Sequence, residues 1–284
     1  MLCLKGLRVL GKPYSRTLLG LSHRSAMTGG LGPDWRRVVW GIEALGTMYP
    51  SLNRAISLGL DRALRRLAVL SAGRPSGRIL DAGAGDGSLT EVIQSMAQGR
   101  PYLLVMLDPS EKMLRIAEKR VDLAASERVV GVVEHLPLAA GVIDRSYMSF
   151  SLRDVYDLDA SLRSLAVVMK NSGLLTVIDL AKPDSALLAA LYDLYWRLVS
   201  PFLAAMTFSR HWREIMLIHS TYRALPRESI LLALLKRYFR PLIVRRLLLG
   251  GIHILVLRRV VGASLGETSG VRDSGQPLSL RSAK

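Results

Sequence analysis

The stretch Arg78-Ile-Leu-Asp-Ala-Gly-Ala-Gly-Asp-Gly-Ser88 constrains the fold of this chain more than any other. An apolar run ends at Asp81, then Gly83, Gly85 and Gly87 alternate, and a helix-like segment starts near Ser88. A strand that turns on glycines into a helix brings bare backbone close to a bound, nucleotide-like ligand. A dinucleotide fingerprint would place its third glycine where Ser88 stands. Here the glycines fall at every second position, and an acid precedes them.

The partner of that loop is Tyr102-Leu-Leu-Val-Met-Leu-Asp108, a second apolar run ending in an acid. In a βαβ unit, an acid at the tip of the second strand can accept both hydroxyls of a ribose. Asp108 suits that role; a surface turn that happens to contain Asp is the plain alternative. Pro109-Ser110 then caps a helix carrying Met113 and Leu114. Together the two stretches resemble motif I and the following acid of the class I S-adenosylmethionine (SAM) methyltransferases. The resemblance implies SAM as the cofactor, with Asp81, Gly83, Gly85, Gly87, Asp108, Pro109 and Met113 around it.

Strand-like and helix-like patterns alternate from Arg78 onward. Strands are expected at 78–82, 102–107, 129–133, 144–150 and 174–180, and helices at 88–97, 110–124 and 157–169. Such alternation predicts a parallel sheet covered on both faces, with ligand outside the carboxyl ends of the strands. Helices are expected before it, from Trp35 to Tyr49 and from Leu52 to Leu70. After Lys182-Pro183, residues 184 to 224 read as one long helical insertion, with Leu187, Leu191, Leu194, Tyr195 and Leu198 on a broad apolar face. Pro226 opens a helix to about Phe239, and two last strands fall near 242–248 and 252–258.

Composition sets the outer bounds. At 284 residues and 50% hydrophobic, the chain can form one large domain with appendages. No transmembrane helix is expected, because the longest apolar stretch, Ala186 to Met206, is broken by Asp193, Arg197 and Pro201. The single cysteine, Cys3, rules out an internal disulfide framework and suits a reducing compartment. A net charge of +16 attracts anions, whether nucleic acid or an anionic membrane surface. Residues 1–30 are basic and free of acids. They read as a mitochondrial presequence, as a basic arm, or as upstream sequence with Met27 as the true start. The expected layout is a basic extension at 1–30, a methyltransferase domain at 31–261 with a helical lid at about 184–225, and a disordered tail at 262–284.

Over residues 45 to 259 the order of motifs resembles the ubiquinone/menaquinone C-methyltransferases, which use SAM to methylate a ring carbon of a prenylated quinone precursor. The matching segments are Tyr49-Pro-Ser-Leu-Asn53 followed by Ser57, Gly59 and Arg62, then Phe150-Ser-Leu-Arg153-Asp154, then Asp179-Leu-Ala-Lys182-Pro183. Pro50, Asp61, Leu64, Ser172 and Val132 depart from the family pattern. The implied fold is α/β: class I methyltransferase, Rossmann-like, with a mostly parallel seven-stranded sheet, helices on both faces and a helical insertion after strand five. No metal is expected.

The resemblance and the placement of residues suggest roles. Carbon methylation of a hydroquinone is helped by a cation beside the hydroxyl that loses its proton. Arg153 is the candidate, with a structural pairing to Asp154 or Asp157 as its alternative. Asp179 is the candidate acceptor of the ring proton, with Asp154 and His135 as rivals and His211 and His219 approaching from the insertion. Tyr49 would orient a ring hydroxyl. Backbone around Val133 and Glu134 would hold adenine in place of a side chain at Val132, and Ser149 would face the cofactor. Aromatic residues of the insertion, among them Tyr195, Trp196, Phe208 and Trp212, would line a prenyl tail, and Arg210, Arg213, Arg223 and Arg227 would meet lipid headgroups.

Two other function classes compete. An RNA methyltransferase fits the charge, yet the usual Asn/Asp-Pro-Pro-aromatic loop is replaced by Ser149-Phe-Ser-Leu152, and Cys3 is badly placed as a nucleophile. A non-catalytic assembly factor on the same fold, or a methyltransferase for another small molecule, also remains open. The favoured reading expects a prenylated quinone substrate, an anionic membrane surface, no nucleic acid, and a homo-oligomer as a further option. It places the protein in the cytoplasm at the membrane periphery, or in the mitochondrial matrix if residues 1–30 are a presequence.

Overall fold

The computed structural model describes residues 29–208 and 212–260. Most of the basic extension and all of the 262–284 tail lie outside the described residues, as do His211, Arg210 and the side chains of Met206, Phe208, Trp212 and Arg213. Seven strands form one sheet: β1 Gly77–Ala82, β2 Tyr102–Asp108, β3 Ser126–Val130, β4 Ile143–Ser149, β5 Met169–Leu180, β6 Phe239–Leu247 and β7 Ile252–Arg259. Their order is β3-β2-β1-β4-β5-β7-β6, and β7 alone runs opposite to the other six. The chain reverses its direction of sheet growth between β1 and β4, which opens a crevice at their carboxyl ends.

The helices are α1 Trp35–Leu45, α2 Tyr49–Ile56, α3 Asp61–Ser71, α4 Ser88–Ala97, α5 Glu111–Ala117, α6 Leu158–Val168, α7 Ala186–Leu194, α8 Ser200–Phe208, α9 Trp212–Ala224 and α10 Glu228–Leu235. The central strands are buried on both faces. In β2, Leu104 and Met106 pack with Val92 and Ile93 of α4, while Val105 and Leu107 pack with Leu162 and Leu165 of α6. Doubly covered parallel strands read as unbroken apolar runs for this reason. Ser110 caps α5 by accepting the Met113 N–H at 3.1 Å, and Asp157 caps α6 through the Ala160 N–H at 3.0 Å.

Several boundaries differ from the sequence expectation. The expected strand at 129–133 sits at 126–130, and Val133–His135 instead form a single 3₁₀ turn. The expected helix at 110–124 stops at Ala117. The helix expected from Trp35 to Tyr49 breaks at Gly46, where φ is 51°, and the one expected from Leu52 to Leu70 breaks around Leu58 and Gly59, with φ of 52° and 82°. The insertion is not one helix. A π-turn at Tyr195–Val199 follows α7, and Pro201, which lacks an amide hydrogen, stands just after it. The helix opened by Pro226 ends at Leu235, and Phe239 already belongs to β6. Among the described residues, no helix is long and apolar enough to cross a membrane.

Candidate functional site

Two cavities meet at the carboxyl ends of β1 and β4. The first encloses about 860 Å³, open solvent at its mouth included. The loop after β1 forms one side through Gly83, Ala84, Gly85 and Asp86. Gly85 adopts φ 53°, and a side chain at its α-carbon would meet nothing within 4 Å, so its backbone faces open space. Gly83, at φ 78°, is needed for a different reason: a β-carbon there would lie 2.5 Å from Cβ of Ser151. The loop therefore presents bare backbone to the cavity and packs without side chains against the segment after β4.

Asp108 closes the opposite side, at the tip of β2. Its Oδ2 accepts the Gly85 N–H at 2.8 Å and its Oδ1 accepts the Ser110 N–H at 2.9 Å. Burial pushes its carboxyl up to about 6, and the two backbone hydrogen bonds oppose that rise. Pro109, Val133, Glu134 and Ser149 also line the cavity. Glu134 is committed elsewhere, since its Oε1 accepts the N–H groups of Tyr156 and Asp157 at 2.7 and 3.1 Å. Beside it stands an apolar wall in which Val132 packs with Trp35 and Val38 of α1.

Three expected cofactor residues stand outside the lining. Asp81 is fully buried behind the loop, where its Oδ2 accepts the Thr90 hydroxyl at 2.6 Å. Burial raises its carboxyl to about 7. The α-carbon of Gly87 faces Ala117 and Val121, and Met113 is wholly buried. These three hold the loop and the first turn of α5 in place; they do not reach the ligand space.

The second cavity encloses about 980 Å³ and is mostly apolar. Ile56, Leu64, Leu180, Tyr195 and Trp196 are among its walls, contributed by α2, α3, β5 and the π-turn. Arg65 and Phe150 line both cavities. Phe150 follows β4 at φ 55°, and the Arg65 guanidinium carbon lies 5.3 Å from its ring centroid. Arg65 is buried, donates to Asp61 at 2.9 Å, and has an Nε without a hydrogen-bond partner. A lone buried donor at the junction of two cavities is costly unless a ligand uses it. Sequence reasoning missed Arg65, although Asp61 and Arg65 stand at the i,i+4 spacing of a helical ion pair.

The polar residues expected to act on the acceptor do come together beside that junction. Arg153 lines the second cavity. Its Nη1 donates to Asp179 Oδ1 at 2.7 Å, its Nε donates to Thr221 Oγ1 at 3.2 Å, and Nε also lies 3.5 Å from Asp154 Oδ1. Burial works against the charge on Arg153, and Asp154 and Asp179 more than restore it, leaving its pKa raised. Tyr49 and Asp154 line the first cavity. Burial pushes Tyr49 up to about 12 and Asp154 up to about 6, and Arg153 opposes both shifts.

Asp179, expected as the proton acceptor, lines neither cavity and is only 1% exposed. Its Oδ1 and Oδ2 accept from the Arg153 side chain and backbone. That geometry makes it the residue that orients Arg153. Asp154, expected as a rival, reaches the first cavity and keeps Oδ1 without a hydrogen-bond partner. His135 is exposed and outside both linings, and His219 is bound to Asp193 at 3.0 Å.

The first cavity fits SAM. Bare glycine backbone, a carboxylate at the strand tip and an apolar wall suit a methionine moiety, a ribose and an adenine in turn. Comparisons with known proteins agree. The model of the ubiE/COQ5 methyltransferase family matches residues 36–239. A ubiquinone/menaquinone biosynthesis C-methyltransferase UbiE from Syntrophotalea carbinolica is 35% identical over 58% of this chain and 70% of its own length. Another from Shewanella woodyi is 30% identical over 57% of this chain, a stretch spanning 66% of that relative. Among solved structures, a SAM-dependent methyltransferase from Thermotoga maritima, described as a possible histamine N-methyltransferase, superposes with a TM-score of 0.56 at 17% identity. That superposition covers 78% of this chain and 99% of the other, and it establishes the fold.

Proposed function

The chain belongs to the ubiE/COQ5 methyltransferase family, and we infer that it transfers the methyl group of SAM to a ring carbon of a prenylated quinone precursor. The observation that carries this reading is the apolar second cavity, joined to the cofactor cavity through Arg65 and Phe150. A flat aromatic head with a prenyl tail suits such a space, whereas a nucleic-acid base would leave its polar edges unpaired there.

SAM, when bound, supplies a methyl group already activated on a sulfonium. The loop at Gly83–Gly85, Asp108 and the Trp35–Val132 wall would hold it, with Pro109, Ser149 and the backbone at Val133 and Glu134 around it. Arg153 faces the acceptor side. Its buried positive charge favours ionisation of a ring hydroxyl beside the carbon to be methylated, which pushes electron density into the ring. Methylation replaces a ring hydrogen, so one proton must leave. Asp154 would take it, because at about 6 its carboxyl is mostly ionised at neutral pH and its Oδ1 accepts no hydrogen bond. Tyr49 stays protonated near neutrality and can donate to an acceptor oxygen. Asp179 and Thr221 keep the guanidinium of Arg153 in place.

The acceptor's tail would reside in a bilayer, so the reading places the protein at the membrane periphery, in the cytoplasm or, with a cleaved basic start, in the mitochondrial matrix. The test is to incubate purified protein with methyl-labelled SAM and, separately, membrane lipid extract or RNA. Label is expected in a quinone fraction. Label found only in RNA overturns the proposal.

A further inference from the structure

We propose that the chain docks on an anionic lipid bilayer through one apolar rim at the mouth of the second cavity, formed by α7, the following π-turn and the loops at Leu58 and Leu248–Leu249. The proposal rests on the quinone reading for its purpose and stands on separate observations for its geometry.

Leu187, Leu191, Leu194, Leu198 and Phe202 follow one another at helical spacing along α7, the π-turn and α8, and each is half or more exposed. An apolar stripe on a surface helix normally faces its own protein. Here it faces away, while Ala189 and Trp196 take the buried positions. A run of large apolar groups on one face marks an interaction surface.

The loops add a second, independent sign. Leu58, Leu248 and Leu249 have φ of 52°, 50° and 54°, in the left-handed region that glycine and asparagine prefer. All three side chains are exposed, and Leu249 reaches 81%. A leucine this exposed gains little from packing, and strained backbone of this kind tends to collect where a surface has a task. Leu58 and Leu248 also line the second cavity. The Tyr192 hydroxyl donates to the Leu248 carbonyl, and the Tyr195 hydroxyl donates to the Ile56 carbonyl at 3.1 Å. Stripe and loops are thus tied into one rim around the entrance.

Charge selects the occupant. Exposed arginines flank each part of the rim: Arg54 before Leu58, Arg197 within the stripe, and Arg245 and Arg246 leading into Leu248. Apolar groups ringed by cations suit the boundary between anionic headgroups and acyl chains. A second copy, itself at net +16, would be repelled and would cover the entrance. A bilayer leaves the entrance facing the phase that holds the prenylated acceptor.

The test uses the full chain and vesicles of phosphatidylcholine, with or without about one third phosphatidylglycerol. Flotation should recover protein with the anionic vesicles, less so at high salt. A Leu249→Asn, Leu198→Gln variant removes two exposed apolar groups that line neither cavity and relieves one strained backbone. It should keep or raise the melting temperature while vesicle binding falls on the order of tenfold. Equal binding by the variant, or loss of binding only together with loss of fold, overturns the proposal. So does a dimer in sedimentation that the variant splits while vesicles stay unbound. Turnover of a short-tailed acceptor in free solution separates the two readings: its failure counts against the quinone assignment and leaves the flotation result standing.

Discussion

Asp108 and Asp154 are carboxylates that line the first cavity, the one buried and the other partly so, and they are treated differently. Both oxygens of Asp108 accept backbone N–H groups, from Ser110 two residues away and from Gly85 in the preceding loop. Asp154 keeps one oxygen free of hydrogen bonds, 3.5 Å from the Arg153 Nε, and Arg153 is itself held by Asp179 and Thr221 from β5 and α9. The cofactor side is thus set by main chain within one βαβ unit. The acceptor side is set by side chains that distant segments bring together. Main-chain recognition suits a donor that is always the same. Side-chain recognition can drift with the acceptor, and Asp61 and Leu64, two departures from the family pattern, line the second cavity.

The sharpest way to break this contrast is a crossed pair of substitutions. Asp108→Ala removes a charged acceptor and leaves two N–H groups without it. Hydrogen bonds to charged groups contribute about 1.5–3 kcal/mol each, so SAM affinity should fall roughly a hundredfold or more by calorimetry. Arg153→Lys keeps a cation beside Asp179, which is important because an unpaired buried carboxylate would cost about 3–5 kcal/mol. It should lower kcat on the order of a hundredfold while the SAM Kd moves less than about twofold. A large loss of SAM affinity in the lysine variant would put Arg153 on the cofactor side and dissolve the distinction.

The pH dependence makes a milder probe of the same boundary. Burial lifts Asp154 from 3.8 to about 6, so kcat/KM should fall as pH drops through about 6, when the proton acceptor fills. Asp154→Asn should remove that acidic limb along with most of the activity. Stability carries the opposite sign. The folded state holds this proton more tightly than the unfolded chain, so the contribution is full below 3.8 and is lost as pH rises through about 6. Thermal melts of the asparagine variant should therefore lose part of their slope between those values.

The same contrast explains what could be read in advance. Gly83, Gly85 and Asp108 were legible because a glycine turn and a strand-tip acid are local signals that need no knowledge of packing. Arg153 was found through a motif, yet its bond to Thr221 crosses 68 positions and no periodicity reveals it. Asp179 reads as a proton acceptor for the same cause: the end of a strand gives an address, not the direction taken by its partner. Trp35 and Val38 form the apolar wall of the first cavity only because α1 folds back over Val132. The strand expected at 129–133 sits three residues earlier because its pairing with β2 runs from Ser126 to Val130, opposite Leu104 to Asp108, which leaves Val133 beyond the strand and in the cavity lining.

The smallest effects lie within the glycine loop, where stability and affinity should separate. Both Gly83→Ala and Gly85→Ala place a side chain at positive φ, costing about 1 kcal/mol. Gly83→Ala adds a clash with Ser151, which cannot retreat freely because its Oγ donates to the Ala82 carbonyl at 2.9 Å. Overpacking of that kind costs about 1–3 kcal/mol more, so its melting temperature should be the lower of the two. Gly85→Ala meets no protein atom, but its methyl would enter the cofactor cavity. It should therefore weaken SAM binding more than Gly83→Ala does, despite its higher stability. Adding Ser151→Gly to Gly83→Ala should recover the steric part of the loss and leave the backbone part, and a double variant no more stable than the single one would show that the loop, not its neighbour, sets the cost.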